Sequence, residues 1–327
     1  NSTDDAYSFT DNGFEAASQN SSSVLMSESN GEGLAEDNSD VLSAGTVYFD
    51  ASSSTDGVGT QTSPYKYLYS NRISSGMTAY FADGVYVYTG SGKISSKTTF
   101  IGQSRDNTII KSTASYSFDL TVSSGSTLLL KDLTFDYGQI INHGNVEADN
   151  VIFKNSVCKY SESSTAFYES ACGGVIFSNS SLNYGICNVN LRNCYFESNH
   201  ARHGSVIAAN YTNILISNCI FSNSDARLFG GAIYGLESNL TVSKSSFRGI
   251  SAKYGGSIYM NGGKMSKLQC TSKKKRYYYL NAFKKSDKIA SSVFFLTAHS
   301  VCSKSMQKDS LSKELSPLLS QNTKLKL

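Results

Sequence analysis

Glu147 and Asp149 are the carboxylates whose spacing suits acid–base chemistry. Two residues apart in an extended segment, they would stand on one face roughly 6 to 7 Å apart. At that separation one carboxylic acid can protonate a glycosidic oxygen while the other activates a water. His200 and His203 form a second candidate, a pair of nitrogens able to ligate a metal, but no acidic third ligand lies near them in the chain. His143 stands beside Gly144 at an expected turn. No nucleophile elbow, P-loop, dinucleotide fingerprint or C-x-x-C spacing occurs anywhere in the sequence.

Whether these groups form a site depends on the elements that carry them, and those elements repeat. With the chain aligned on Phe135, Phe153, Phe196, Phe221 and Phe247, the position seven residues earlier holds Leu128, Val146, Val189, Ile214 and Leu240. Five residues earlier stand Leu130, Ala148, Leu191, Ile216 and Val242, and two earlier Leu133, Val151, Cys194, Cys219 and Ser245. The position three earlier is turn-forming: Asp132, Asn150, Asn193, Asn218 and Lys244. A residue class that returns to the same slot about every 25 residues is the signature of a solenoid. Even offsets within each piece place its apolar side chains on one face of a strand. Parity breaks at the Asn column, so the chain bends there, where an amide tolerates a left-handed backbone. The fold predicted is all-β, a right-handed parallel β-helix over 45–263, with coils about 4.8 Å apart and ladders of Leu, Ile, Val and Phe inside.

The same alignment puts Glu147 and Asp149 in outward slots, with Asp149 between Lys131 and Arg192 of the neighbouring coils. A column of alternating sign is an ordinary way to make such a face tolerable. The pair therefore reads as structural, and no catalytic, cofactor-binding or metal-ligating residue is assigned.

The formal net charge of +3 conceals three blocks. Residues 1–44 contain nine Asp and Glu and no Lys or Arg, with too few hydrophobes to offset the entropy of ordering, and read as a disordered acidic lead. Residues 264–327 carry 14 Lys and Arg against three Asp and Glu. There the repeat stops after Asn261-Gly262-Gly263, which reads as a shifted reading frame or a truncation, with a poorly ordered cap or an anion-gripping basic tail as the alternatives. The near-neutral middle argues against nucleic acid as a partner. Between the flanks, 77–88, 93–101, 108–111 and 117–122 read as the strands of the first coils, and 67–72 as a short helix or turn that caps the open end. The long interval between Phe153 and Phe196 marks an insertion, with a loop over about 156–171 where recognition would sit.

Seven Cys, an odd number, cannot all pair within one chain, and Cys194 and Cys219 fall in an inward column, as small buried hydrophobes. Two Pro, 21 Tyr and no Trp suit a turn-rich β surface. No apolar run reaches the roughly 18 residues of a membrane span, the longest candidate being 289–302. The missing Met before Asn1 reads as a removed leader or a fragment, and acceptors such as Asn179-Ser180-Ser181 are compatible with export.

The repeats resemble a known family. Phe196-Glu197-Ser198-Asn199 and Gly230-Gly231-Ala232-Ile233 match the F-x-x-N and G-G-A-I of the chlamydial polymorphic outer-membrane protein repeat, with Gly173-Gly174-Val175-Ile176 and Gly255-Gly256-Ser257-Ile258 close variants. Over 46–263 the chain is similar to the adhesin-like surface proteins of methanogenic archaea. The resemblance implies a pectate-lyase-like solenoid, extracellular or on the cell surface, that is no enzyme, needs no cofactor or metal, and binds a host or microbial surface glycan or protein. The alternative on the same fold is a carbohydrate-active enzyme, a polysaccharide lyase or glycoside hydrolase. Asn142-His143-Gly144 is similar to the Gly-His-Gly of pectin-degrading hydrolases, but their paired-Asp and Arg-x-Lys motifs are missing.

Overall fold

In the computed structural model the described residues are 45–88, 91–112, 118–158, 172–180, 185–272, 278–282 and 292–296. The lead over 1–44 and the greater part of 264–327 lie outside them. The alternating apolar pattern becomes alternating burial: in Asn145–Asp149 and Cys187–Arg192 every second side chain is buried. From Thr46–Phe49 to Ile258–Ser272 the strands pair in parallel with the strand one coil away, in the register of the sequence columns, so that Val146 sits opposite Leu128 and Val189, and Phe153 opposite Phe135 and Phe196, while Tyr278–Ala282 and Ser292–Leu296 pair antiparallel. The result is a right-handed parallel β-helix.

Three parallel stacks make its walls. The first begins at Thr46–Phe49 and Thr78–Phe81 and runs through Asn145–Asp149 and Thr212–Ser217. The second begins at Gly84–Val87 and runs through Ile152–Lys154, Tyr195–Glu197 and Ile220–Ser222. The third begins at Ser91–Ile94 and runs through Gly138–Asn142, Ile176–Asn179 and Ile207–Asn210. In the later coils the strands fuse, and Ile233–Arg248 serves all three walls in turn. The expected strands 77–88 and 93–101 each resolve into two, because each contains a corner between walls that the apolar pattern blurs. The expected cap contains a single 3-10 turn, Ser70–Arg72.

The bend at the Asn column is left-handed throughout: φ is 53° at Asp132, 55° at Asn150 and Asn193, 52° at Asn218 and 47° at Lys244. Asn carries this strain better than most residues. Its amide also bonds along the stack: Asn218 Nδ2 donates to Asn193 Oδ1 at 2.7 Å, and Asn150 Nδ2 to Asp132 Oδ1 at 2.7 Å. A second amide ladder opens the first wall, where Asn188, Asn213 and Asn239 each donate to the residue one coil before. Inside, the Phe column is a pile of near-parallel rings, with centroids 5.8, 5.3, 4.7 and 4.5 Å apart from Phe135 to Phe247. Cys194 and Cys219 are buried and unoxidised, as their column predicts.

The parallel ladder continues past 263, as Ile258–Ser272 keeps pairing with the strand before it, with register slips between Thr241 and Val242 and between Val242 and Ser245. Backbone hydrogen bonds need no particular side chain, so the ladder outlasts the pattern that announces it. Among the described residues no helix is long and apolar enough to cross a membrane.

Candidate functional site

The outward carboxylates are where the columns place them. Glu147 stands between Leu129 and Asn190, and Asp149 between Lys131 and Arg192. Asp149 Oδ2 lies 3.3 Å from Arg192 Nη2, and its Oδ1 accepts from Asn193 Nδ2 at 2.7 Å. Lys131 reaches instead toward Asp132, at 3.8 Å. Both oxygens of Asp149 are thus engaged in cross-coil pairing.

The two histidines do not converge. A register irregularity between Ala201 and His203 separates them. His200 Nδ1 lies 2.5 Å from Asp225 Oδ1 in the next coil, while His203 turns inward and is 2% exposed. No group of three His, Cys, Asp or Glu suited to a metal occurs among the described residues. His143 Nδ1 lies 2.8 Å from the Asn179 carbonyl oxygen, a contact that ties two coils together.

Sequence reasoning missed the feature that His203 belongs to. A fourth, short stack, His200–His203 beside Asp225–Phe229, lies between the second and third walls and is extended by bridges from Cys172 to His203 and from Phe229 to Tyr254. A glycine, followed by a second one at Gly230-Gly231 and by Ser205 at Gly204, returns the chain from this stack to the third wall. Gly204 and Gly230 have φ of 55° and 59°, and a Cβ on either would collide with the carbonyl oxygen of Ile207 or Ile233. The G-G motif is therefore a folding device. So is the Asn of F-x-x-N: Asn199 is fully buried, donating to the Phe153 carbonyl and accepting from the Ser156 amide.

The sharp return lays the fourth stack against the outer face of the third wall. On that wall Ile140, Ile176, Ile207, Ile233 and Ile258 point inward, so the alternate column, Ile141, Phe177, Ala208, Tyr234 and Tyr259, points outward. His203 stacks on Phe229 at 5.3 Å and on Tyr234 at 5.0 Å, and Phe229 touches Tyr254 at 5.1 Å and Tyr259 at 4.8 Å. These rings form a shelf that is buried at His203 and opens at Tyr254, which is 43% exposed with Lys253 Nζ 5.1 Å above its ring. Burial pushes the Tyr234 phenol up and pulls the His203 imidazole down to about 4, the neighbouring Arg202 adding to the second effect. The expected recognition loop falls on residues outside the described ones from 159 to 171. Its feet, Cys158 and Cys172, are buried, and Gln139 Nε2 donates to the Cys172 and Gly173 carbonyls at 3.1 and 2.8 Å. Cys172 heads the column of His203, so the insertion leaves the solenoid beside the shelf.

A family model described as rhamnogalacturonase A/epimerase, pectate lyase-like, matches residues 69–272. The chain belongs to this family. The match covers every complete coil of the solenoid and the whole shelf. No curated protein matches the chain. In this pectate-lyase-like chain the outer columns of the third wall beside the shelf hold Ile141, Phe177, Ala208, Tyr234 and Tyr259, and, two residues on, Asn179, Asn210, Leu236 and Asn261. Neither column contains a carboxylate.

Proposed function

We propose that this chain is a non-catalytic, adhesin-like β-helix of the cell surface, and that it holds a host or microbial glycan on the aromatic shelf of its third wall. One observation carries the reading: rings from two stacks, with Tyr254 open to solvent and a cation above it, gather into an apolar cluster on an outer face. The apolar face of a sugar ring packs on such a cluster, while the Asn179–Asn210 amide pair, joined by a 3.1 Å hydrogen bond, lies along the same wall to meet hydroxyls. The family description supports a polysaccharide as the class of ligand. The likeness of the repeats to adhesin-like proteins of methanogens supports surface display.

The same family description favours a second reading, a carbohydrate-active enzyme, so binding and turnover are measured together. The full chain is screened on a glycan array and incubated with polygalacturonate and rhamnogalacturonan, with and without calcium. Saturable glycan binding without new reducing ends or unsaturated products is expected, weakened about tenfold by Tyr254→Ala. Turnover abolished by Glu147→Gln or Asp149→Asn would replace this reading with the enzyme.

A further inference from the structure

At the other end of the solenoid a cleft of about 500 Å³ opens between the cap segment and the first strand of the third wall. Its volume lies within the roughly 300 to 1,000 Å³ of small-molecule sites. The floor is apolar: Leu68, Ile94, Phe100, Ile110, Leu120 and Phe135. The rim is polar, with Ser70, Asn71, Ser74, Ser91 and Ser95, and Lys93 is the one charged side chain among the described lining residues.

A glycine lines the opening where its column otherwise carries Leu or Ile. The inward column of the third wall reads Gly92, Leu120, Ile140 and Ile176, then Ile207, Ile233 and Ile258 in successive coils. Only the first member lacks a side chain. A Cβ on Gly92 would stand 2.6 Å from the Tyr88 hydroxyl and 2.8 Å from Leu120 Cδ2, so a side chain there would push these two ends into the cleft. Among the described residues the strand bearing Gly92, Ser91–Ile94, pairs on one edge only, with Phe118–Val122, and its other side faces the cap. The cap is held in place: Arg72 makes two 2.6 Å contacts to the Asp56 carboxylate and lies over the Tyr65 and Tyr69 rings at 4.1 and 4.6 Å. Ser75 Oγ donates to the Lys93 carbonyl at 3.1 Å and accepts from the Ser95 amide at 2.8 Å. Both walls are therefore fixed, and the gap between them is part of the fold.

We propose that this cleft is a binding site for an amphipathic carboxylate, an alkyl or aryl chain on the floor with its anionic head at Lys93 and the rim hydroxyls. Apart from the Tyr88 hydroxyl beside Gly92, the floor offers a sugar's hydroxyls no partner among the described lining residues, and a cationic head would meet Lys93 with no carboxylate among them to offset it.

Isothermal titration of the full chain with decanoate, decan-1-ol and decylammonium tests this. One decanoate per chain is expected, binding more tightly than decanol, with decylammonium weakest. Lys93→Gln should weaken decanoate about fivefold and leave decanol unchanged. Gly92→Leu, which gives the column its usual residue, should abolish saturable binding while the circular dichroism melt stays cooperative. Should Gly92→Leu not fold, the exposed Lys93→Gln variant decides. Tyr254→Ala, on the distant shelf, should change nothing. Absence of saturable decanoate binding, equal affinity for decylammonium, or unchanged decanoate affinity in a folded Gly92→Leu or in Lys93→Gln would each overturn the proposal.

Discussion

A histidine that is 2% exposed, stacked against both Phe229 and Tyr234, with no hydrogen-bond partner at either ring nitrogen, holds its place only while uncharged. Its folded pKa is about 4, whereas a histidine in the unfolded chain titrates near 6.5. Between those values the unfolded chain binds the extra proton, so stability rises with pH across that window. The contribution is present in full above about 6.5 and is lost as pH falls toward 4. At its limit the loss is on the order of 3 kcal/mol. Melting curves from pH 8 to 4 should be level above neutrality and fall below it. His203→Phe keeps the stacking and removes the proton site, so the difference between the two proteins is the readout. Parallel curves would mean that the ring is not sealed in the folded state. Sequence reasoning weighed this residue with His200 as a metal pair, because both are histidines in one short stretch, and assigned neither as a ligand. The signal that identifies it as packing is different: His203, Phe229 and Tyr254 recur one coil apart, as do Tyr234 and Tyr259. That aromatic recurrence lies in the return segments, whose lengths vary, so an alignment built on the interior Phe does not display it.

At the scale of the element, the interior columns were legible because a strand writes its inward face into every second residue and stacking repeats that face coil after coil. Leu128, Val146, Val189, Ile214 and Leu240 are each no more than 2% exposed, and the Asn column bends where its chemistry permits. The corners were less legible. Phe81 and Tyr86 are both inward, so the run from 77 to 88 looks continuous although Ala82 and Asp83 separate two walls. The value of a column can be measured. Phe221 is fully buried, between Phe196 at 4.7 Å and Phe247 at 4.5 Å. Phe221→Ala removes both stacking contacts and leaves a cavity that two flanking coils, tied by backbone hydrogen bonds, cannot close. A loss of about 3 to 5 kcal/mol is expected from denaturant unfolding. An unchanged midpoint would mean that the Phe column does not face the interior.

At the scale of the molecule, a solenoid has no single centre, because each coil is supported by the coil before and the coil after. Among the described residues Gly84–Val87 and Ser91–Ile94 have a partner strand on one side only, and their coil contributes Tyr86 and Gly92 where later coils contribute Phe and Ile. Cys187–Arg192 and Thr212–Ser217 are paired on both sides, and the rings of their coils, Phe196 and Phe221, lie 4.7 Å apart. Stability should therefore be graded along the axis. In native-state hydrogen exchange, amides of the first complete coil should exchange at least about a hundredfold faster than those of Val189, Leu191, Ile214 and Ile216. A ligand seated in the cleft beside Gly92 has its largest contact with the least protected coil, so decanoate should slow exchange there and leave the central coils unaltered. Equal protection from Thr78 to Phe247 would show that the coils open together, and the support of nearest neighbours would then give way to cooperative unfolding of the whole wall.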